Sequence, residues 1–589
     1  MLDIKQYILY NIDMYVAKIP NRNSNPTYLI RESYRDNGKV KNRTIANITQ
    51  LSINQIEAMK LIFKGIPLVQ PDQAFEIMRS LPHGHVAAVL GLIKSIGLDY
   101  IIASKSSIEK NLILAMIVSR IICPSSKLAT AQGLNDETAF TSLGEILGIK
   151  KTNEADLYHA MDWLIKRQDI IETKLAKKHF AEGSLFLYDL TSTYFEGKKC
   201  PLAAFGHNRD KKKGKRQIVI GLLCNKQGCP ISVQVFKGNT SDSTTILSEI
   251  KRIREKYGIK KIVIVGDRGM ITKACIEGEL KKDEDISWIT ALRSQSIKKL
   301  VEENQFEPEL FDDWGLATIT SEDYPGERLI VCKNSFLALE RRIKRQDLIE
   351  ATNKLLDKIK EATVREKRKL KGKDKIGKRA WRVIDKYKVA KFYSLAITES
   401  TFEYTLDEEK IKAEEALDGI YIIRSSVCED ELSSEKVVEA YKDLSKVESA
   451  FRSIKTVSLK VRPVYHYLED RVRSHVFICM LAYYVEWHMR ERLASILFID
   501  ENKKYANVMR ESIVAPALRS GEAMEKDKTK KTQGDFSVHS FATLFRDLAT
   551  LTKNKVRVSG VRGESFYMYS TPTAFQAKVF ELLGVSYKT

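Results

Sequence analysis

Three acidic residues occupy positions where a carboxylate needs a reason. Asp189 follows the apolar run Leu185, Phe186, Leu187, Tyr188 and precedes Leu190, inside a strand pattern and not in a turn. An Asp there costs stability unless something cationic offsets its desolvation. Asp267 closes the run Ile262, Val263, Ile264, Val265, Gly266 and stands before Arg268 and Gly269, where capping a turn is its plainer role. Glu448 lies far downstream on a strong helical pattern. Carboxylates are the hard oxygen donors that Mg²⁺ and Mn²⁺ take. Held by several of them, two cations roughly 3.5–4 Å apart activate a water and relieve the charge of a pentacovalent phosphorus. Phosphodiester cleavage is therefore the chemistry open to these residues if the fold gathers them.

The helix of Glu448 can be drawn as a wheel, each residue advancing about 100°. With Tyr441 at zero, Glu448 falls near roughly −20°, Arg452 near +20° and Lys455 near −40°. Val447, Phe451 and Ile454 fall on an apolar face between roughly −80° and −140°, with Leu444 at its edge. A phenol, a carboxylate, a guanidinium and an ammonium thus share one stripe. Surface pairing of Glu448 with Arg452 accounts for two of them; an anion flanked by phosphate-binding donors accounts for all four.

Tyr441-x2-Leu444-x3-Glu448-x6-Lys455 resembles the Y-x2-R-x3-E-x6-K signature of one large branch of DDE insertion-sequence transposases. LYDLTSTYFEG around Asp189, GHNRDKKKGKRQIVIGLL, FKGNTSD, IVGDRG around Asp267 and RPVYHYLEDRVRSH agree with it, and the likeness runs from SYRDNGKVKNRTI to about Leu493. The resemblance implies that Asp189, Asp267 and Glu448 bind two Mg²⁺ or Mn²⁺ ions, and that Tyr441 and Lys455 hold DNA phosphates. Leu444 stands at the motif's Arg position, and Arg452 on the same stripe is the residue that could replace it. His207 lies in a basic loop as a DNA contact or a solvated side chain. Asn239 either forms a turn or orients a catalytic Asp from behind. The implied reaction is cleavage at the terminal inverted repeats of double-stranded DNA, then attack of the freed 3′-hydroxyl on target DNA, in a synaptic homodimer. Two rival readings are a nuclease that does not join strands and a DNA-binding regulator without catalysis.

Those residues need elements to position them. Residues 1–66 read as short strands with polar turns, Asp36-Asn37-Gly38 being a hairpin signal. Residues 67–182 read as helices, interrupted at Pro124, and could bind DNA. Residues 183–292 give three consecutive strands, then helix, strand, helix and strand, the order of a ribonuclease H-like α/β core. Residues 293–428 break that alternation with a long charged helix, strands and a run from Arg365 to Arg379 in which nine of fifteen residues are Lys or Arg; they read as an inserted subdomain. Trp381 beside the run adds a stacking surface for nucleic acid. Residues 429–495 return to the core with the Glu448 helix, and residues 496–589 form a C-terminal region with a Lys-rich linker around 525–533. The transposase resemblance implies a largely β insertion before the third carboxylate.

A chain of 589 residues exceeds one hydrophobic core. Its net charge of +21 favours a polyanionic partner. The eight cysteines form no CxxC pair and no zinc-finger spacing, as for reduced thiols in a cytoplasmic protein near the nucleoid. The N-terminus lacks a secretory apolar core, and the apolar stretch from Val476 to Trp487 is too short for a bilayer, so no membrane association is expected.

Overall fold

The computed structural model describes residues 14–588 apart from 23, 67–74, 208, 211, 213, 304–314, 509–511, 516–517 and 559–564. The chain divides into two compact units, Met1–Ser80 with Lys553–Ser570, and Leu81–Thr552 with Thr571–Thr589. The first contains an antiparallel meander of Met14–Ile19, Thr27–Asp36 and Lys39–Asn47. Asn37 and Gly38, at φ 45° and 77°, join the paired residues Asp36 and Lys39 in the two-residue turn that their sequence signals. A helix, Ile53–Phe63, is capped by Ser52 and buries Ile56 with Ile30 and Ile48. A second sheet joins Phe75–Pro82 to Thr552–Val558 and Phe566–Tyr569, so a strand pair from beyond residue 495 belongs with the N-terminal strands. The expected boundary at 67 falls outside the described residues.

The second unit opens with helices, among them α1 (Ile108–Ile122), α2 (Lys127–Leu134), α3 (Glu154–Ile165) and α4 (Gln168–His179). Pro124 lies in the break between α1 and α2, where a missing N–H costs nothing. The central sheet has eight strands: β1 (Leu185–Tyr194), β2 (Gln217–Cys224), β3 (Pro230–Lys237), β4 (Ile262–Val265), β5 (Ile286–Ala291), β6 (Leu316–Ile319), β7 (Arg328–Lys333) and β8 (Ile420–Ser425). Their spatial order is β6-β7-β8-β5-β4-β1-β2-β3. β1, β2 and β3 pair antiparallel as a meander, whereas β4 pairs parallel with β1 and with β5. Helix α5 (Asp242–Tyr257) makes the crossover between β3 and β4. Every residue of β2 and β4 is buried, as their uninterrupted apolar runs require.

Three strands from the stretch expected to stand apart, β6, β7 and β8, extend this sheet antiparallel. What leaves the sheet lies between Asn334 and Gly419: α6 (Ser335–Val364), α7 (Lys373–Tyr387), the hairpin Tyr393–Ile397 with Phe402–Leu406, and a short helix, Glu408–Glu415. It is mostly helical, not largely β, with its own core of Leu356, Ile359, Ile376, Ala380, Ile384 and Phe402. Asn334 N–H donates to Gly419 O at 2.9 Å, closing the excursion where it begins. A β-carbon on Gly419, at φ 79°, would sit 2.3 Å from Asn334 O, so the clasp requires glycine.

Helices α8 (Ser434–Lys442) and α9 (Leu444–Arg452) follow, with Asp443 between them, and α9 runs into a π-helical turn, Ser453–Val457. Helix α10 (Glu469–Arg492) packs on α1, α3 and β3. Acids in its first turn and arginines in its last flank an almost wholly buried middle, Val476–Val485. No single described helix is long and apolar enough to cross a membrane. The expected Lys-rich linker is instead partly helical, Gly521–Thr529, because buried Lys526 donates to the carbonyls of Ala494 and Ile499, each at 2.9 Å.

Candidate active site

Asp189 is the fifth residue of β1, with its carboxylate only partly exposed. Its Oδ1 accepts the Leu190 N–H at 2.7 Å. The parallel pairing of Leu185 with Val263, Phe186 with Ile264 and Leu187 with Val265, continued two residues, sets Asp189 beside Asp267 just past the end of β4. Neighbouring strands lie about 4.8 Å apart, so the two acids leave adjacent backbones at the same height. Asp267 also closes a turn: its Oδ1 accepts the Arg268 N–H at 2.8 Å, and its carbonyl accepts from Met270. Its Oδ2 lies 3.7 Å from where a β-carbon on Gly269, in the same turn, would stand.

Glu448 is exposed on α9, which packs against β1 and buries Val447 and Phe451 on the apolar face beside Glu448. Asp189 feels the charge of the other two acids. Burial, then the negative charges of Asp267 and Glu448, raise the Asp189 carboxyl to about 6, against the pull of the Leu190 N–H and Arg209. Tyr441 shares the neighbourhood: burial foremost, with Asp267, Asp189 and Glu448, pushes its phenol up to about 12. Leu444 is 9% exposed and packs in the main core, so at the motif's Arg position this chain places a core side chain and not a DNA-facing one.

The single-helix wheel does not hold over its full length. The interruption at Asp443 and the π turn after Arg452 change the phase. Arg452 ends exposed, while Lys455 turns inward. Its Nζ donates to Asp210 Oδ1 at 2.6 Å, to Ser192 O at 2.7 Å and to Thr191 Oγ1 at 3.2 Å. Lys455 therefore clamps the end of β1 to the loop before β2. Arg462 adds a bond to Asp210 at 3.3 Å and lies 4.4 Å from the Tyr194 ring centre.

His207 and Asn239, both exposed, line one cavity of about 350 Å³ with Arg209 and Asp242. Its backbone walls are close: a β-carbon on Gly206 would sit 2.1 Å from Gly238 O. Gln217 ties the walls together, donating to the carbonyls of His207 at 3.0 Å and Gly238 at 2.8 Å. Two residues not singled out from the sequence belong here. Arg209 bonds Asp242, and the Asp242 Oδ2 stands 3.7 Å from the same Gly269 β-carbon position as the Asp267 Oδ2. Asp242, which reads as a helix cap, is thus a fourth acid at the site, already paired.

Asp189, Asp267 and Glu448 offer oxygen donors only, and the charges of the other two act on buried Asp189, although the three carboxylates do not all bring an oxygen within 4.8 Å of one another. A hard divalent cation fits that set. His179, Cys229 and His488 are a different group, their donor atoms within 4.8 Å of one another. These are softer donors, and His179 Nε2 is held by the Tyr484 hydroxyl at 2.9 Å.

The Transposase DDE domain family matches residues 181–485, a stretch containing all three acids. The IS1634 family transposase N-terminal domain matches residues 16–72. A solved structure, the cryo-EM structure of piggyBac transposase synaptic complex with hairpin DNA, is similar at 10% identity and a TM-score of 0.33, over 79% of this chain and 76% of that one. No curated protein matches the chain.

Proposed function

The chain belongs to the DDE transposases of insertion sequences, and from that premise we propose that Asp189, Asp267 and Glu448 are the acids at which it cuts and joins DNA. The observation that carries this is the parallel register of β1 and β4, adjacent strands of which β1 carries Asp189 and β4 leads into Asp267, together with the packing of the Glu448 helix on β1. The strand order β3-β2-β1-β4-β5 is that of a ribonuclease H-like core, which we read as interrupted between Asn334 and Gly419.

The three carboxylates would hold two Mg²⁺ or Mn²⁺ ions, which when bound supply an acidified water and charge relief at phosphorus. Asp189, fixed inside a strand, gives the site its rigid wall. Tyr441 keeps its proton at neutral pH, since its phenol is raised, and donates a hydrogen bond to a phosphate oxygen. Arg452, exposed one turn beyond Glu448, meets the backbone of the same strand. Lys455 acts from inside by holding the loop that carries His207 and Arg209. His207 contacts DNA from that loop, and Asn239 lines the cavity beside Asp242, behind Asp267. The substrates are terminal inverted repeats and target DNA, the working form is a synaptic homodimer, and the compartment is the cytoplasm beside the nucleoid.

The test is cleavage and joining by the full chain on a duplex bearing the element's end, with Mg²⁺ or Mn²⁺ supplied. D189N, D267N and E448Q should each lower the cleavage rate by on the order of a thousandfold or more. Any one of them cleaving at the wild-type rate removes that residue from the site. Cleaved ends that never join a target plasmid would reduce the enzyme to a nuclease.

A further inference from the structure

A larger cavity lies beyond the clamp of Lys455, and none of the three acids belongs to it. It measures about 780 Å³, the size of a small-molecule site. Arg120, Lys127, Lys460, Arg462 and Arg471 line it, and no carboxylate does among the described residues. Arg462 and Arg471 already pair with Asp210 and Asp162, which stand outside the lining, so Arg120, Lys127 and Lys460 are the three cations whose charges repel across the hollow unless an anion joins them.

Two of the five are buried. Lys127 and Arg120 are each 7% exposed. No hydrogen bond or ion pair is recorded for the Lys127 ammonium, and burial, helped by the charge of Arg120, pulls it down to about 7. Arg120 donates to the carbonyls of Leu459, Lys460 and Ser125, which fixes its place, yet its Nε is buried without a partner. Lys127 also begins α2, and Ser125 and Ser126, whose hydroxyl caps that helix at the Ala129 N–H, line the hollow beside it. Such donors suit a phosphate.

The rim is aromatic. Tyr465 and Tyr467 are each 61% exposed, with His466 between them set edge-on to Tyr158 at 5.8 Å. Exposed rings over a cationic hollow are what an unstacked base and its phosphate need. Arg462 joins this hollow to the candidate active site, since it also bonds the Asp210 that holds Lys455.

We propose that this cavity seats one unpaired nucleotide of the DNA strand, its phosphate held by Lys127 and Arg462 and its base against Tyr465 and Tyr467. The proposal rests on the reading of the chain's substrate as DNA. A strand passing the three acids then meets a second fixed point, which sets how far from the scissile bond the duplex must open.

The test is binding by the full chain in EDTA, so that the acids play no part. The probes are a labelled 5′-phosphorylated single-stranded 12-mer, a blunt duplex of the same sequence, and inorganic phosphate as competitor. The Y465A/Y467A variant, altered only at exposed rings, should bind the single strand about tenfold more weakly and the duplex within about twofold of wild type. K127M should weaken the single strand too, and thermal melting shows whether that buried variant folds. Undiminished single-strand binding by the tyrosine variant overturns the nucleotide assignment. So does inorganic phosphate that competes mole for mole with the 12-mer, because the occupant is then free phosphate. The cleavage test can fail while this one succeeds, and the reverse, so the two readings fall separately.

Discussion

Lys455 donates to Asp210, to the Ser192 carbonyl and to the Thr191 hydroxyl, so at this residue its charge is spent within the protein. If it acts by clamping, removing either end of the ion pair undoes the same thing. K455M and D210N should each slow single-turnover cleavage by roughly tenfold to a hundredfold, and the double variant should be no slower than the worse single one. Multiplying effects, or a D210N enzyme as fast as wild type, would return Lys455 to the role of a direct phosphate contact. In the sequence Asp189 stands out because an acid in mid-strand costs stability, whereas Asp267 also reads as a turn acid, which it is, and Glu448 stands out only through the donors in line with it and the motif they resemble. The sequence could not make Asp242 or Arg209 legible. Asp242 reads as a helix cap and Arg209 as one more base in a basic loop, and their meeting depends on two glycine-walled loops closing on Gln217.

At the scale of elements, periodicity named β1 to β5 and several helices, but it passed over β6, β7 and the strands Phe75–Pro82, Thr552–Val558 and Phe566–Tyr569, and it assumed one unbroken helix from Tyr441 to Lys455. The π turn is invisible to a wheel with fixed pitch, and so is the Lys526 anchor that turns a basic linker into a helix. Helix α5 carries a further consequence of packing. Glu249 on α5 is buried with Arg252, which it shares with Glu172 and Asp169 of α4, so one arginine serves three carboxylates. Burial first, then Glu172, raises Glu249 to about 7, against Arg252. Unfolded, a glutamate releases its proton near about 4.3. Between those values the folded chain binds more protons than the unfolded one, so this residue lowers stability as pH rises toward 7 and the loss is complete above it. E249Q cannot ionise. Its melting temperature relative to wild type should therefore rise by a few degrees between pH 5 and pH 8. An offset that is equal at both pH values would show that Glu249 does not titrate in this window.

Over the whole molecule, the meander and the central α/β sheet follow from local pattern, whereas the sharing of chain ends does not. Nothing in Thr552–Val558 announces that it pairs with Phe75–Pro82, because strand pairing across so long a separation is decided by the folded surface. Charge is the one global property the sequence gives without folding. A net +21 spread over both signs means that binding to DNA should depend on released counterions more than on the three acids. E448Q protein, cut off from catalysis, should still bind a blunt duplex in EDTA. Its affinity should fall by on the order of a thousandfold between about 50 and 200 mM salt if some six phosphates are neutralised. Each lost phosphate contact should lower the slope of log affinity against log salt by about one. R452A, at an exposed residue beside the acids, is the variant in which that decrement should appear. A slope near zero in the E448Q protein would mean that the excess positive charge faces something other than the DNA backbone.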